Sequence, residues 1–184
     1  MARNPLATQL VLDDLDQLGS GHRARLETGA MLDGATARVW RLWFPARLGP
    51  KRKRKRTVNG VKVEVRVKVP ELPPGPNGSR GNPIAHSQWV KSWRESARDI
   101  VKEAVGEVEP LSRARITVVM CRTRIGQADP DNDLARCKPI LDGLRDAGLL
   151  RKDTYRAVEY GPISEQRADQ RGPGVLLVVE ELEA

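Results

Sequence analysis

The chain has 184 residues, 39% of them hydrophobic and 30% charged, with a formal net charge of +8. That is enough chain for one domain with a real core, and the balance excludes a fibrous or disordered polymer. No apolar run approaches the ~20 residues of a membrane-spanning helix. The start, Met1 to Pro5, shows no apolar stretch followed by a small-residue cleavage site, so a cytoplasmic protein is expected. Cys121 and Cys137 lack Cys-x-x-Cys spacing, and only His22 and His86 could assist them. Neither a disulfide framework nor a structural zinc site is expected. The positive charge is concentrated: residues 37–69 hold twelve Lys or Arg and one acid, Glu64, while the rest of the chain is slightly acidic. Such a feature attracts a polyanion. The plainer alternative is a solvated loop.

In chain order, Leu6, Leu10 and Leu18 among acids predict a short helix over Leu6–Leu18, closed by Gly19-Ser20-Gly21. Residues 19–36 have weak periodicity, so 1–36 reads as a helical appendage to a main domain over 37–184. Strands are predicted at Ala37–Phe44 and Val61–Val69. In the second, valines alternate strictly with Lys62, Glu64, Arg66 and Lys68, the period of a half-buried strand. Between these strands lie Pro50, the run Lys51-Arg52-Lys53-Arg54-Lys55-Arg56 and Asn59-Gly60. Together they predict one hairpin with a long basic tip at 47–60. Prolines and glycines mark 70–83 as loop.

A helix follows over Ser87–Val105. Trp89, Trp93, Ala97, Ile100, Val101 and Ala104 recur at helical spacing as its buried stripe. Lys91, Arg94, Arg98 and Lys102 form a basic ridge, either a phosphate contact or a solvated face shared with Glu95 and Asp99. Next come a strand at Arg115–Arg124 and a helix at Asp133–Ala147, with Leu134, Cys137, Leu141 and Leu144 inward and Gly148 as its stop. Pro139 sits inside that helix. Strands at Arg156–Ile163 and Gly174–Glu181 end the chain. Strands flanking helices without a regular βαβ rhythm give an α+β or mixed α/β class, with a largely antiparallel sheet and two main helices.

The residues that carry chemistry are Asp129-Pro130-Asp131-Asn132-Asp133, Lys138, Asp142 and Asp153. Pro130 biases Asp129 toward an extended conformation, in which alternate side chains share a face. Asp129 and Asp131 could then converge, and two converging carboxylates call for a cation. Hard oxygen ligands suit Mg²⁺ or Mn²⁺, which activate water beside a phosphodiester. The same residues also serve as loop and helix-cap material. Lys138 reads either as a phosphate-facing cation or as the i,i+4 partner of Asp142. Gly-rich phosphate loops are absent, so no nucleotide cofactor is expected.

The order Asp129-Pro-Asp131-Asn132, Lys138-Pro-Ile-Leu-Asp142-Gly-Leu-Arg-Asp-Ala-Gly148 and Asp153 resembles the signature of RusA-type Holliday-junction resolvases, in the form common in actinobacterial phages and prophages. The ordered match covers about 25 residues of this sequence, and a looser one runs from residue 60 to the end. The resemblance implies a RusA-like fold and a homodimer that hydrolyses phosphodiesters of four-way DNA junctions with Mg²⁺, in a bacterial or phage-infected cytosol. It implies Asp129, Asp131 and Asp153 as metal-binding catalytic acids and Lys138 as the essential lysine. Two features depart from the pattern. Asn132 and Lys138 are six residues apart, which makes Asp133 an alternative ligand, and Lys152 stands where the family often has a second acid. Lys51–Arg56, Lys91, Arg94 and Arg98 are the expected DNA contacts. The rival expectations are a junction-binding module that does not cut, and a less selective flap or duplex endonuclease.

Overall fold

The computed structural model describes residues 24–32, 35–48, 52–58, 61–67, 70–75, 82–126, 129–152, 154 and 156–183. The helix predicted at Leu6–Leu18 lies outside them. Among the described residues nine strands and two helices follow one another: β1 (Ala24–Leu32), β2 (Ala35–Pro45), β3 (Arg47–Leu48), β4 (Arg52–Val58), β5 (Val61–Val67), β6 (Pro70–Glu71), α1 (Pro83–Val105), β7 (Ala114–Arg122), α2 (Pro130–Asp146), β8 (Val158–Arg167) and β9 (Gly174–Glu181). The main sheet has the order β1-β2-β9-β7-β8. Its pairs are antiparallel except β7 with β8, which α2 joins as a crossover. The class is therefore α+β with a mixed, largely antiparallel sheet, as the sequence pattern predicts.

Period-two alternation builds the core. Trp40, Leu42 and Phe44 of β2, Ile116, Val118 and Met120 of β7, and Val175, Leu177 and Val179 of β9 face the helices. Trp93, Ala97, Ile100 and Val101 of α1 and Cys137, Ile140, Leu141 and Leu144 of α2 close over them. Trp93 is core, as its spacing predicts, and Trp89 packs beside it edge to face, with ring centroids 6.2 Å apart. Trp43, Val119, Cys121 and Leu176 form a smaller cluster on the other face. Burial pushes the Cys121 thiol up to about 11 and the Cys137 thiol to about 12, so both are neutral core groups at pH 7.

Three strand predictions are corrected. Residues 24–32, read as part of an appendage, form β1 and pair with β2 along its length. The strand at 37–44 does not pair with 61–69; β2 lies between β1 and β9 instead. Arg52–Val58 is itself a strand, not a loop tip, and pairs antiparallel with β5 from Arg52↔Val67 to Val58↔Val61. A two-residue ladder, Arg47↔Glu71 and Leu48↔Pro70, joins this ribbon to the body.

Both helices start earlier than predicted. The Asn82 side chain accepts from the Ala85 N–H at 3.0 Å, and Pro83 opens α1. Asp129 caps α2 in the same way and Pro130 opens it. Proline at the first helical position loses nothing, because its missing N–H would have no partner there. The helix runs unbroken through Pro139. The two helices cross closely at Gly143, where an added Cβ would lie 2.6 Å from Ala97 Cβ and 2.8 Å from the Arg94 carbonyl.

Candidate active site

Pro45 and Cys121 both pair with Gly174, and Arg122 pairs with Arg167. The C-terminal ends of β2, β7 and β8 and the start of β9 therefore share one end of the sheet. The segment leading to α2 leaves from this end and carries Asp129. The ribbon β4–β5 leaves from the same end through β3.

Asp129 is extended, as Pro130 predicts, with φ −85° and ψ 119°, but Asp131 is helical, so the two are not alternate residues of one extended chain. Asp129 is the cap and Asp131 lies in the first turn of α2, both solvent-exposed. The Asp129 carboxylate accepts from the Asp131 N–H at 3.1 Å and from Asn132 Nδ2 at 3.0 Å. The helix-cap role that the sequence allows this cluster falls to Asp129 rather than to Asn132 or Asp133, and it keeps the carboxylate within one turn of Asp131. Among the described residues, no three His, Cys, Asp or Glu side chains gather as a metal-holding group. Asp153 lies outside them.

Asp133 is not an alternative ligand. It is 4% exposed and paired with Arg122, whose Nη1 donates to Asp133 Oδ2 at 3.0 Å and to Glu165 Oε2 at 2.7 Å. Arg122 Nη2 completes a two-pronged contact with Asp133 Oδ1. The other Glu165 oxygen accepts from the Gly126 N–H at 3.0 Å. Burial opposes the Arg122 charge, but Asp133 and Glu165 outweigh it and hold the guanidinium more firmly protonated than usual. This clamp ties β7, β8 and the first turn of α2 together and sets the approach to Asp129. Sequence reasoning missed it, although the signal was present. Arg122 continues the inward row of Ile116, Val118 and Met120, and Asp133 falls on the stripe of Cys137, Ile140 and Leu144. Two opposite charges at core-facing positions imply a pair.

Lys138 lies seven residues after Asp131 on the same exposed side of α2, about 10 Å along the axis. Its ammonium contacts Asp142 Oδ1 at 3.0 Å, the i,i+4 pair the sequence allowed, and its side chain is 55% exposed. It must swing toward the N-terminal end to meet a phosphate beside Asp131.

The chain beyond α2 stays at the other end of the sheet. The Leu111 N–H donates to the Leu149 carbonyl at 2.9 Å, and the Arg151 N–H donates to the Leu111 carbonyl at 3.1 Å. Leu111 precedes β7, whereas Arg122 at the end of β7 grips the start of α2. The 17 residues of α2 span about 25 Å. Gly148 therefore does not turn the chain back toward Asp129. The Thr154 carbonyl accepts from the Ala157 N–H at 2.8 Å and the Val158 N–H at 2.9 Å, at the start of β8.

On α1 the cations expected to touch DNA each have an acid beside them. Arg94 Nε meets Asp146 Oδ2 at 2.5 Å, and its Nη2 meets Oδ1 at 2.8 Å. Arg98 contacts Asp99 at 2.7 Å, and Lys91 lies 3.8 Å from Glu95. Glu95, Asp99 and Glu103 line a cavity of about 440 Å³ between α1 and Pro45. This arrangement fits the solvated-face reading of the ridge. In β4 the backbone of Arg52–Arg56 is described, while Lys51 lies outside the described residues.

Acid titration should expose these pairs. Arg94 holds the Asp146 carboxyl below its ordinary 3.8, and Arg38 holds Glu181 below its ordinary 4.5. Carboxyls depressed in the folded state stabilise it fully above the ordinary value, and that stability disappears as pH falls through the depressed one. Melting temperature should start to fall as pH drops below about 4.5 and keep falling below about 4. The Asp146→Asn variant, followed by circular dichroism, should show the shallower fall.

No protein-family model and no curated protein matches the chain. No helix among the described residues is long and apolar enough to cross a membrane.

Proposed function

We propose that the protein is a metal-dependent endonuclease that resolves four-way and related branched DNA as a homodimer. The observation that supports this best is that exposed Asp129 and Asp131 open α2 and Lys138 follows Asp131 on the same side of that helix, in the order of the resolvase motif though with a longer spacing between Asn132 and Lys138. The donor chemistry fits Mg²⁺ or Mn²⁺, since hard carboxylate oxygens with room for water are what these ions take. A bound divalent ion would neutralise the phosphodiester and acidify a water. Asp129 and Asp131 would hold it, and Lys138 would offset charge developing on the scissile phosphate.

The 17 residues of α2 span about 25 Å, and Asp153, the third acid the resemblance implies, lies outside the described residues. A homodimer would allow a shared site, in which Asp129 and Asp131 of one protomer and Asp153 of the other hold one ion. A C2 dimer then carries two such sites, matching the approximate two-fold symmetry of a junction.

The test is cleavage of a synthetic four-way junction with Mg²⁺ or Mn²⁺. Wild type should cut paired strands of like polarity, and Asp131→Asn should cut at least 100-fold more slowly with an unchanged melting temperature. Equal cutting by both removes Asp131 from the chemistry. The non-cleaving module draws support from the capping role of Asp129 and the Lys138–Asp142 pair; a gel shift without nicking would select it. Equal cutting of linear, forked and four-way DNA would select the less selective nuclease.

A further inference from the structure

We infer that the β4–β5 ribbon is a DNA-gripping arm that lies along the groove of a duplex leaving the acidic end of α2. The identity of the polyanion rests on the DNA-directed reading above; the arm itself rests on backbone placement and charge.

The two strands carry seven basic residues and one acid. Register pairs Arg52, Arg54 and Arg56 with Val67, Val65 and Val63, and pairs Lys53 and Lys55 with Arg66 and Glu64. Directly opposed residues share a face, so cations are assigned to both faces of the ribbon. No third strand joins this ladder among the described residues. A lone two-stranded ribbon is marginal in water, and consecutive like charges weaken it further. A phosphate backbone removes that repulsion, which gives this sequence a reason to be a ribbon. A two-stranded ribbon also has the width of the DNA major groove. Seven residues per strand reach about 24 Å, or about seven base pairs.

The root of the arm is fixed. The Ala46 N–H donates to the Pro173 carbonyl at 2.9 Å, and Arg47 donates to the Ser92 carbonyl. On the return, Arg136 of α2 donates to the Pro73 carbonyl at 3.1 Å. Its guanidinium sits 3.1 Å from where a Cβ on Gly75 would be. Through Arg136 the arm's base is tied to the helix that begins with Asp129 and Asp131, so a duplex held by the arm starts next to those acids.

The experiment compares the full-length protein with a variant in which Arg52, Lys53, Arg54, Lys55 and Arg56 are all changed to Gln. Binding to a labelled four-way junction is measured in EDTA across a salt series. The variant should bind at least 30-fold more weakly at low salt, and its plot of log affinity against log salt should be flatter by about 3–5. Hydroxyl-radical protection of about seven base pairs on a junction arm should vanish. The melting temperature should be unchanged. Affinity within threefold of wild type, an unchanged slope or a retained footprint overturns the arm. A parallel assay with Mg²⁺ separates the two proposals. If wild type cuts nothing while the variant loses binding, the nuclease reading fails and the arm stands. If wild type cuts and the variant binds and cuts equally, the arm fails and the nuclease reading stands.

Discussion

Replacing Arg122 with methionine is expected to lower the melting temperature by about 10 °C. The change leaves Asp133, 4% exposed, without its two-pronged partner and strips Glu165 of a contact at 2.7 Å. Removing one member of a buried pair costs about 3–5 kcal/mol, because the remaining charge stays desolvated without compensation. In a chain of this size each kcal/mol moves the midpoint by about 2–4 °C. Adding Asp133→Leu should recover most of the loss, since a well-packed apolar replacement is often neutral. A thermal-denaturation double-mutant cycle measures the coupling. A single variant that melts within about 2 °C of wild type would mean that the clamp does not hold the fold together.

Gly143→Ala should also destabilise, by up to about 2 kcal/mol net. In an exposed helix the same change would gain about 1 kcal/mol, because glycine is a poor helix former. Here the new Cβ would fall 2.6 Å from Ala97 Cβ, 2.8 Å from the Arg94 carbonyl and 2.9 Å from the Arg98 N–H. Two of these three neighbours are backbone atoms and cannot swing aside, so α1 and α2 would have to part. Such overpacking costs about 1–3 kcal/mol. Separation would strain the Arg94–Asp146 contact across the same crossing. A rise in melting temperature on substitution would show that the helices have room at this point. The tight crossing also gives a physical reason for the glycine in the Leu-Asp-Gly-Leu element, independent of any role in cutting.

The parts of this fold that were legible share one property: a single residue period set them. Ile116, Val118 and Met120 and the stripe from Cys137 to Leu144 went where periodicity sends apolar side chains, while the continuous apolar run Val175 to Val179 became a strand buried on both faces. Strand β1 was hidden because its pairing slips between Thr28 and Ala30 at Gly29, which breaks the alternation. Strand β4 was hidden because six consecutive cations have no polar–apolar alternation; its strand state comes from pairing with the valine-rich β5. Both helix starts were placed late because Pro83 and Pro130 were taken as loop residues, although Asn82 and Asp129 are favourable caps. In the candidate site, the order of Asp129, Asp131, Lys138 and Asp142 could be read directly. Their directions could not, because a cap, an ion pair and a metal ligand all draw on the same residue types. Which end of the molecule each acid occupies follows from α2 running unbroken from Pro130 to Asp146, which no spacing in the sequence states.

Mixing two inactive variants tests the central claim most directly. Asp131→Asn and Asp153→Asn proteins are each assayed alone on a four-way junction with Mg²⁺, then combined, allowed to exchange subunits and assayed again. In a site built between two protomers, the mixed dimer contains one intact set of acids and one doubly damaged set. Each variant alone should be silent, and the mixture should recover nicking of one strand per junction. If the mixture stays as silent as its components while wild type cuts, the acids are not shared between protomers and the proposed dimer site fails. If wild type leaves the junction intact with both Mg²⁺ and Mn²⁺, the protein is not a nuclease of this kind.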